Sequence, residues 1–430
     1  MSTNVLLLGG GGREHAIAWK LAQSPRLGSL SNAPGNAGTA QYGENVAGLD
    51  ENDGAAAVAA ASRLRADLVV VGPEAPLAAG VADALRAEGV PVFGPSRAGA
   101  EIEWSKSFAK DLMADAGIET GHAATFDDPE AAMHYVRRFP GGHVVKADGL
   151  AAGKGVTVCD TPGEALAAIE EAMVDGVFGE AGARVLVEQR LSGPETSAHA
   201  FTAGTAVAHM PFSCDHKPVF DGDRGPNTGG MGVYSPPGWL DDDDARRIER
   251  DVTERAVSAL AASGREYRGV LYPGMMITAG GPKVIEFNCR FGDPEAEALL
   301  PRLRSDLLEI CNAVAHGRLA DVEVEWSDEA TVGVMMASGG YPGSYDTGVP
   351  ISGVGGSDYG VQVFLAGAQR DEAGVLRTAG GRVLCVVARG ASLAEAREAA
   401  YERVRAISFE GAHYRTDIGA REGEADGGAA

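Results

Sequence analysis

The chain has 430 residues, 45% of them hydrophobic and 23% charged, the balance of a globular protein long enough for two to four domains. No apolar run approaches the roughly 20 residues that cross a bilayer, and the N-terminal MSTNVLLLGGGG lacks the basic lead and cleavage pattern of a secretion signal, so the expected location is cytoplasmic, with no membrane partner. The net charge of −23 disfavours nucleic acid, because phosphate binding needs a basic footprint.

The first hundred residues alternate strand-like and helix-like stretches: NVLLL, helical HAIAWKLAQ, a short SLSN, a helix from Gly54 to Arg65, DLVVV, a helix around Ala78 to Glu88, and VPVFG. That rhythm predicts a parallel sheet with helical crossovers, whose Gly/Pro loops lie at the carboxyl edge where ligands bind. A helix follows from Ser105 to about Gly117. Strands VVKA, VTVC and RVLVEQ then surround a glycine-rich loop and a helix near Glu164 to Val174, a small lid-like unit. Residues 198 to 315 return to mixed α/β and end in the strand KVIEFNCR and a helix from Pro294. From about Trp326 the β-rich TVGVMMAS, VQVFLAG and RVLCVVARG close with the helix ASLAEAREAAYERVRAI.

The expected architecture is therefore α/β. It comprises an N-terminal parallel-sheet domain (1–104), a central domain (105–320) with a lid at about 120–190, a C-terminal β-rich α+β domain (327–420), and a disordered acidic tail (421–430). Five scattered cysteines without CxxC spacing predict reduced, mostly buried thiols. Acidic residues total 60, a load that repels itself unless salt screens it. Lysine is scarce: there are seven, and Lys106, Lys146, Lys154, Lys217 and Lys283 all fall inside motifs.

GGGGREHAIAW follows a strand and opens a helix, where free N–H groups and the helix dipole favour an anion. Gly10 and Gly12 supply two glycines of a dinucleotide fingerprint, but His15 takes the third position and strand two ends in Asn32, not an acid. A sugar phosphate fits better than NAD, and a tight turn packing helix on strand is the other reading. ADGLAAGKGV (147–156) is no Walker loop, since Asp148 stands where the first glycine belongs and Gly155 follows Lys154. It reads as a hairpin that either folds over phosphates or is an ordinary glycine-rich turn. Lys146 favours the first, because a semi-buried ammonium needs an anionic partner.

In VEQRLSGPET, Glu188 and Glu195 either flank a nucleoside site or are two solvated glutamates beside a turn. The stretch SCDHKPVFDGDRGPNTGGMG (213–232) reads as a long irregular loop carrying Asp215, His216 and Lys217, of the kind that is usually functional. In KVIEFNCRFGDPE, strand alternation puts Glu286, Asn288 and Arg290 on one face and Ile285, Phe287 and Cys289 on the other. Two hard oxygen donors beside a guanidinium suit Mg²⁺ and a phosphoryl or carboxylate group, unless the face is simply exposed. Asp293 and Pro294 read as the N-cap and N1 of the next helix.

In order, GGGGREHAIAWK, APGNAGTA, VGPEAPL, KADGLAAGKGV, DHK, GPNTGGMGVYSP and VIEFNCRFGDPE resemble the phosphoribosylamine–glycine ligase (glycinamide ribonucleotide synthetase) family of ATP-grasp enzymes of purine biosynthesis. The similarity runs from about Val5 to Ile418 and includes ASGGYPG and GGRVLCV. It implies that the central domain is an ATP-grasp domain. The implied reaction is ATP + glycine + 5-phosphoribosylamine → ADP + phosphate + glycinamide ribonucleotide through glycyl phosphate, with Mg²⁺ or Mn²⁺, in a monomer or homodimer.

By the same resemblance Glu286 and Asn288 hold metal, Arg290 and Lys154 serve the transferred group, and Lys106, Lys146, Gly153, Lys154 and Gly155 meet the phosphates. Glu188 to Leu191 meet adenine and Glu195 the ribose. Gly10, Gly12, Arg13, Asn36 and Glu74, with Asp215, Lys217, Asn227, Thr228, Gly229 and Gly230, face the other substrates. Trp104 and Pro194 depart from the family pattern near the nucleotide. Another ATP-grasp ligase or carboxylase would lack DHK and GPNTGGMG, an NAD-dependent oxidoreductase would need the missing third glycine, and a non-catalytic nucleotide-binding module would not need Glu286, Asn288 or Lys146.

Overall fold

The computed structural model describes residues 2–139, 141–150, 155–355 and 360–420. The expected phosphate contacts Gly153 and Lys154, and the acidic tail, lie outside them.

Strands β1 (Thr3–Gly9), β2 (Leu27–Pro34), β3 (Glu44–Asn45), β4 (Leu68–Val71) and β5 (Val92–Phe93) form a parallel sheet in the order β3-β2-β1-β4-β5. Strand order reverses between β1 and β4, so the loops after these two strands face one crevice. Helix α1 (Gly12–Leu21) begins in the first loop, α2 (Gly54–Leu64) is capped by Asp53, and α3 (Glu74–Ala79) begins in the second loop. The single helix expected around Ala78 to Glu88 is two, because Gly80 at φ +85 ends α3 and starts α4 (Val81–Ala87).

Helices α5 (Arg97–Trp104) and α6 (Lys106–Ala116) lead to the lid, where β6 (Ala123–Phe126), β7 (His143–Ala147), β8 (Val156–Cys159) and β9 (Val185–Gln189) pair in the antiparallel order β6-β9-β7-β8. Helices α7 (Pro129–Arg138) and α8 (Pro162–Ile169) cover that sheet and bury Ala132, Val136, Val145, Ile169 and Val187 in a core of their own.

Residues 195–235 supply β10 (Glu195–Ser197), β11 (Ala200–Ala203), β12 (Ala206–His209), β13 (Cys214–Asp215), β14 (Pro218–Phe220), β15 (Arg224–Asn227) and β16 (Gly232–Ser235). The stretch expected to be one irregular loop thus contains a hairpin, β14–β15, between two sheet strands. After α9 (Asp242–Arg247) and α10 (Arg255–Ala262), β17 (Arg268–Thr278) and β18 (Gly281–Asn288) complete a sheet with β10, β11 and β12.

Helices α11 (Glu295–Leu299) and α12 (Leu307–Ala315) precede β19 (Ala330–Ala337), β20 (Val361–Leu365), the β21 (Ala368–Arg370) and β22 (Leu376–Thr378) hairpin, β23 (Arg382–Gly390) and α13 (Leu393–Ala406). The last large sheet runs β13-β16-β19-β23-β20, so strands from near residues 214 and 232 belong to the C-terminal sheet. Apolar side chains bind these layers together: Leu6 and Val69 share a core with Val284 and Phe287, and Leu7 and Phe93 share another with Phe291, Leu308, Met335 and Val387. Among the described residues the lid has no part in either, so there it joins the body without a shared core.

His15, which broke the dinucleotide pattern, has a packing task. Its Nδ1 accepts the Leu365 N–H at 2.7 Å, its ring meets Phe364 edge-on at 5.4 Å, and burial lowers its pKa to about 4. A neutral imidazole thereby docks α1 against the C-terminal sheet.

Candidate active site

Strand β18 builds the floor. Val284, Phe287 and Cys289 are buried in the core, while Glu286, Asn288 and Arg290 face a cavity of about 580 Å³. Strict alternation fails at one residue. The register with β17 slips between Gly274 and Met275, so Ile285 bulges and lines the cavity instead of the opposite layer, and its carbonyl accepts Lys146 Nζ at 2.8 Å.

Four cations converge on Glu286. Lys217 Nζ lies 3.6 Å from its Oε1, and although burial acts to raise the carboxyl pKa, Lys217, Lys146, Lys106 and Arg290 outweigh it and hold the value at about 2. Lys217 also stands 3.5 Å from Glu195 Oε2, and Glu195 foremost pushes the lysine pKa well up despite burial. Lys106 starts α6, donates to the Gly149 carbonyl at 3.2 Å, and has its pKa lowered, mainly by burial.

Glu188, 3% exposed, carries Lys146 at 2.7 Å and Lys110 in still closer contact. Its side chain is thus a buried counter-ion. The strand-end segment Gln189, Arg190 and Leu191, with Val144, Val156, Leu186 and Met276, forms an apolar-walled end of the cavity suited to a flat base. Gly155 lines the same end and its carbonyl accepts Ala147 N–H at 2.8 Å, closing the β7–β8 hairpin. Ser107 clasps the hairpin to α6 through Asp148, with Ser107 N to Oδ1 at 3.1 Å.

At the other end, Arg290 reaches the N-terminal domain. Its Nε donates to Glu74 Oε2 at 3.0 Å, its Nη2 pairs with Glu103 Oε1 at 3.2 Å, and the Glu103 carboxylate also accepts Cys289 N–H at 2.7 Å. Burial acts to raise the Glu74 pKa, but Arg290 and Arg13 prevail and lower it to about 2. Asp215, Asn227, Thr228, Gly229, Asp293 and Glu295 complete this end. Burial, followed by the neighbouring Glu295, raises the Asp215 pKa well above the usual carboxylate range.

Some expected residues stand elsewhere. Gly10, Gly12, Arg13, Asn36 and Gly230 do not line this cavity. Asn36 Nδ2 ties Gly10 O at 2.9 Å, Gly11 O at 3.0 Å and Leu365 O at 2.8 Å, while its Oδ1 accepts from Gly38 and Thr39. Arg13 is 6% exposed and is held by Glu14 Oε1 at 2.6 Å and Phe291 O at 3.1 Å. Gly10 and Gly12 permit close approach, since a Cβ would come within 2.8 Å of Gly35 O and 2.5 Å of Glu297 Oε1 respectively. A Cβ on Gly230 would meet Asp215 Oδ1 at 2.5 Å, so that glycine shapes the wall from behind.

The reading of Asp293 and Pro294 as N-cap and N1 is off by one: Pro294 holds the cap position of α11, and the Asp293 carboxylate goes to Arg382 Nη2 at 2.8 Å. Sequence reasoning missed Lys110, Glu103, Tyr272, Asp293 and Glu295 as cavity residues. Lys110 was findable, four residues after Lys106 on one helix face. Asp293 and Glu295 sit in the quoted FGDPE block, whereas Glu103 and Tyr272 carry no sequence signal. Lys283 does not line the cavity and stands 3.9 Å from Glu119.

Glu286 and Asn288 fit a hard divalent cation. Both present oxygen donors to the cavity from alternate positions of β18, and Asn288, 6% exposed, has an amide Nδ2 with no hydrogen-bond partner among the described residues. Among the described residues there is no group of three or more His, Cys, Asp or Glu that forms a ready-made metal cage, so a cation held here would need further ligands from outside the protein.

The chain is similar to known proteins over nearly its whole length. Residues 3–103 match the family described as Phosphoribosylglycinamide synthetase, N domain; residues 104–296 match its ATP-grasp (A) domain, and residues 331–421 its C domain. Phosphoribosylamine–glycine ligase of Rhizobium meliloti is 49% identical over 97% of this chain and 98% of the relative, and that of Vibrio cholerae 47% identical over 97% and 98%. The solved structure of the Thermotoga maritima ligase superposes with a TM-score of 0.82 at 33% identity, covering 96% of this chain and 99% of that one. A biotin carboxylase from Campylobacter jejuni, 15% identical with a TM-score of 0.72 over 98% and 99% of the two chains, shares the fold.

Proposed function

The chain belongs to the phosphoribosylamine–glycine ligase family, and from that premise we propose how its cavity joins glycine to 5-phosphoribosylamine with ATP, in purine biosynthesis. The observation that carries the assignment of the site is the convergence of Lys106, Lys146, Lys217 and Arg290 on Glu286 in one cavity. Phosphoryl transfer asks a protein mainly for positioning and charge neutralisation, and fixed cations in a walled cavity supply both without reorganising during the reaction.

Adenine lies in the apolar end against the Glu188–Leu191 segment, and Glu195 accepts from ribose hydroxyls. Lys106, Lys146 and the backbone at Gly155 hold the phosphates, joined by Gly153 and Lys154, which lie outside the described residues. Glu286 and Asn288 would hold Mg²⁺ or Mn²⁺, which when bound would supply neutralisation of phosphate charge. Arg290, fixed by Glu74 and Glu103, offers its remaining N–H groups to the glycine carboxylate and the transferred phosphoryl group.

A glycine carboxylate oxygen attacks the γ-phosphorus and ADP leaves, giving glycyl phosphate. The amine nitrogen of phosphoribosylamine then attacks the glycyl carbonyl carbon, loses a proton and displaces phosphate. Asp215, Lys217 and the Asn227–Gly230 loop face these reactants. The loops at Gly10–Arg13 and Asn36 shape the N-terminal crevice, at the strand-order reversal, for the sugar phosphate. No helix among the described residues is long and apolar enough to cross a membrane, and the substrates are those of the cytoplasm.

The test is phosphate release from ATP with each substrate omitted in turn, with the product identified by mass. Release that needs glycine and phosphoribosylamine together supports the reading. Full turnover without phosphoribosylamine, or none with every component present, sinks it.

A further inference from the structure

Arg382 is the first residue of β23 and does not line the cavity, yet its guanidinium holds two segments that do. Nη2 pairs with Asp293 Oδ1 at 2.8 Å, Nη1 donates to the Asp293 carbonyl at 2.8 Å, and Nη1 also donates to the Gly229 carbonyl in a closer contact. A Cβ on Gly229 would stand 3.0 Å from Arg382 Cζ, so the guanidinium lies directly against the glycine backbone. Behind the arginine, its carbonyl accepts the Gly367 N–H at 2.8 Å, which seats it in the C-terminal sheet.

The connection continues toward the reacting groups. Gly229 N–H donates to the Tyr341 hydroxyl at 3.2 Å, and Thr228 returns both its N–H, at 2.8 Å, and its Oγ1, at 2.7 Å, to the carbonyl of Lys217. Lys217 is the residue whose ammonium stands 3.6 Å from Glu286. One planar fork thus fixes the Asn227–Gly229 loop and the β18–α11 connection at the spacing that defines the end of the cavity remote from the adenine pocket. A lysine would supply the charge and three donors from a single nitrogen, but not the planar fork whose two nitrogens reach Asp293 and Gly229 together.

We propose that Arg382 is a positioning residue for the ligation, by which the C-terminal sheet sets the geometry of the glycine- and amine-binding end of the cavity. The inference rests on the functional reading above. It assigns to the C-terminal domain a share in acceptor binding and none in nucleotide binding, because the adenine end is built from the lid and from β10 and β17.

The experiment compares wild type, R382A and R382K for KM of ATP, glycine and phosphoribosylamine, for kcat, and for thermal unfolding. Misplacement by about an ångström can cost on the order of 10²-fold. R382A is expected to lose about that factor in kcat/KM for glycine and phosphoribosylamine, with KM for ATP within about twofold of wild type. R382K should recover only part of the loss, and methylguanidinium added to R382A should restore part of it. Wild-type kinetics in folded R382A, or a loss that falls equally on ATP and is not relieved by methylguanidinium, overturns the proposal. Should R382A not fold, R382K decides: raised KM for glycine and phosphoribosylamine alone supports the role, and unchanged constants refute it. A wild-type protein that forms no glycinamide ribonucleotide in the same assay overturns the functional reading itself.

Discussion

Arg290 Nε donates to Glu74 Oε2 at 3.0 Å, joining the end of the β18 segment to the first turn of α3 across 216 residues of sequence. The pair is a direct link between the β18 face and the N-terminal crevice, and Glu74, with its pKa lowered to about 2, is ionised throughout the neutral range.

Glu74→Ala should therefore release one side of the arginine. Steady-state kinetics are expected to show kcat reduced by about 10-fold or more with KM for ATP little changed, since Glu103 still holds the other side. Unaltered kcat would mean that the pair only fastens domains together.

Charge ties the lid to α6, and among the described residues the lid shares no core with the body. Lys110 on α6 meets Glu188 of β9 beside Lys146, with side chains 13% and 3% exposed. Lys110→Met should lower stability in urea unfolding by about 3 kcal/mol, the order expected when one partner of a buried pair is removed. A change within about 0.5 kcal/mol, the size of an ordinary surface effect, would show that Lys146 alone satisfies Glu188.

Acid should destabilise the fold through two buried histidines. Burial holds His15 at about 4 and His199, stacked 4.1 Å from Tyr272, at about 3, each below an ordinary value of 6.5. Both are neutral when folded, so the unfolded chain binds more protons once pH falls below about 6.5 and stability drops with it. For His15 the loss amounts to roughly 3 kcal/mol by about pH 4. His15→Gln should flatten this slope in urea midpoints measured from pH 7 to pH 4.5; an identical slope would place the proton uptake elsewhere.

The parallel rhythm of the first hundred residues, the β18 face and the ordered motif blocks were legible in the sequence because strand period, turn chemistry and local composition are local properties. The bulge at Ile285 was not, because it depends on the register with β17, and it decides where Lys146 donates. The path of residues 214–235 into the C-terminal sheet was also hidden, since β13 is only two residues long and its partners lie on β16. Glu103 reaches the cavity, and Arg382 the segments that line it, across domain contacts that no spacing encodes.

Removing divalent cations should stop ADP formation, and Mg²⁺ or Mn²⁺ should restore it. Turnover that persists in excess chelator would exclude Glu286 and Asn288 as ligands in the working enzyme.

The most direct measurement is the turnover of Glu286→Ala with all substrates and Mg²⁺ present, alongside its circular dichroism and thermal unfolding. The carboxylate at the meeting point of four cations is expected to be indispensable, so kcat should fall by about 10²-fold or more while the fold is retained. A folded Glu286→Ala enzyme with near-normal turnover would contradict the placement of phosphoryl transfer on the face of β18.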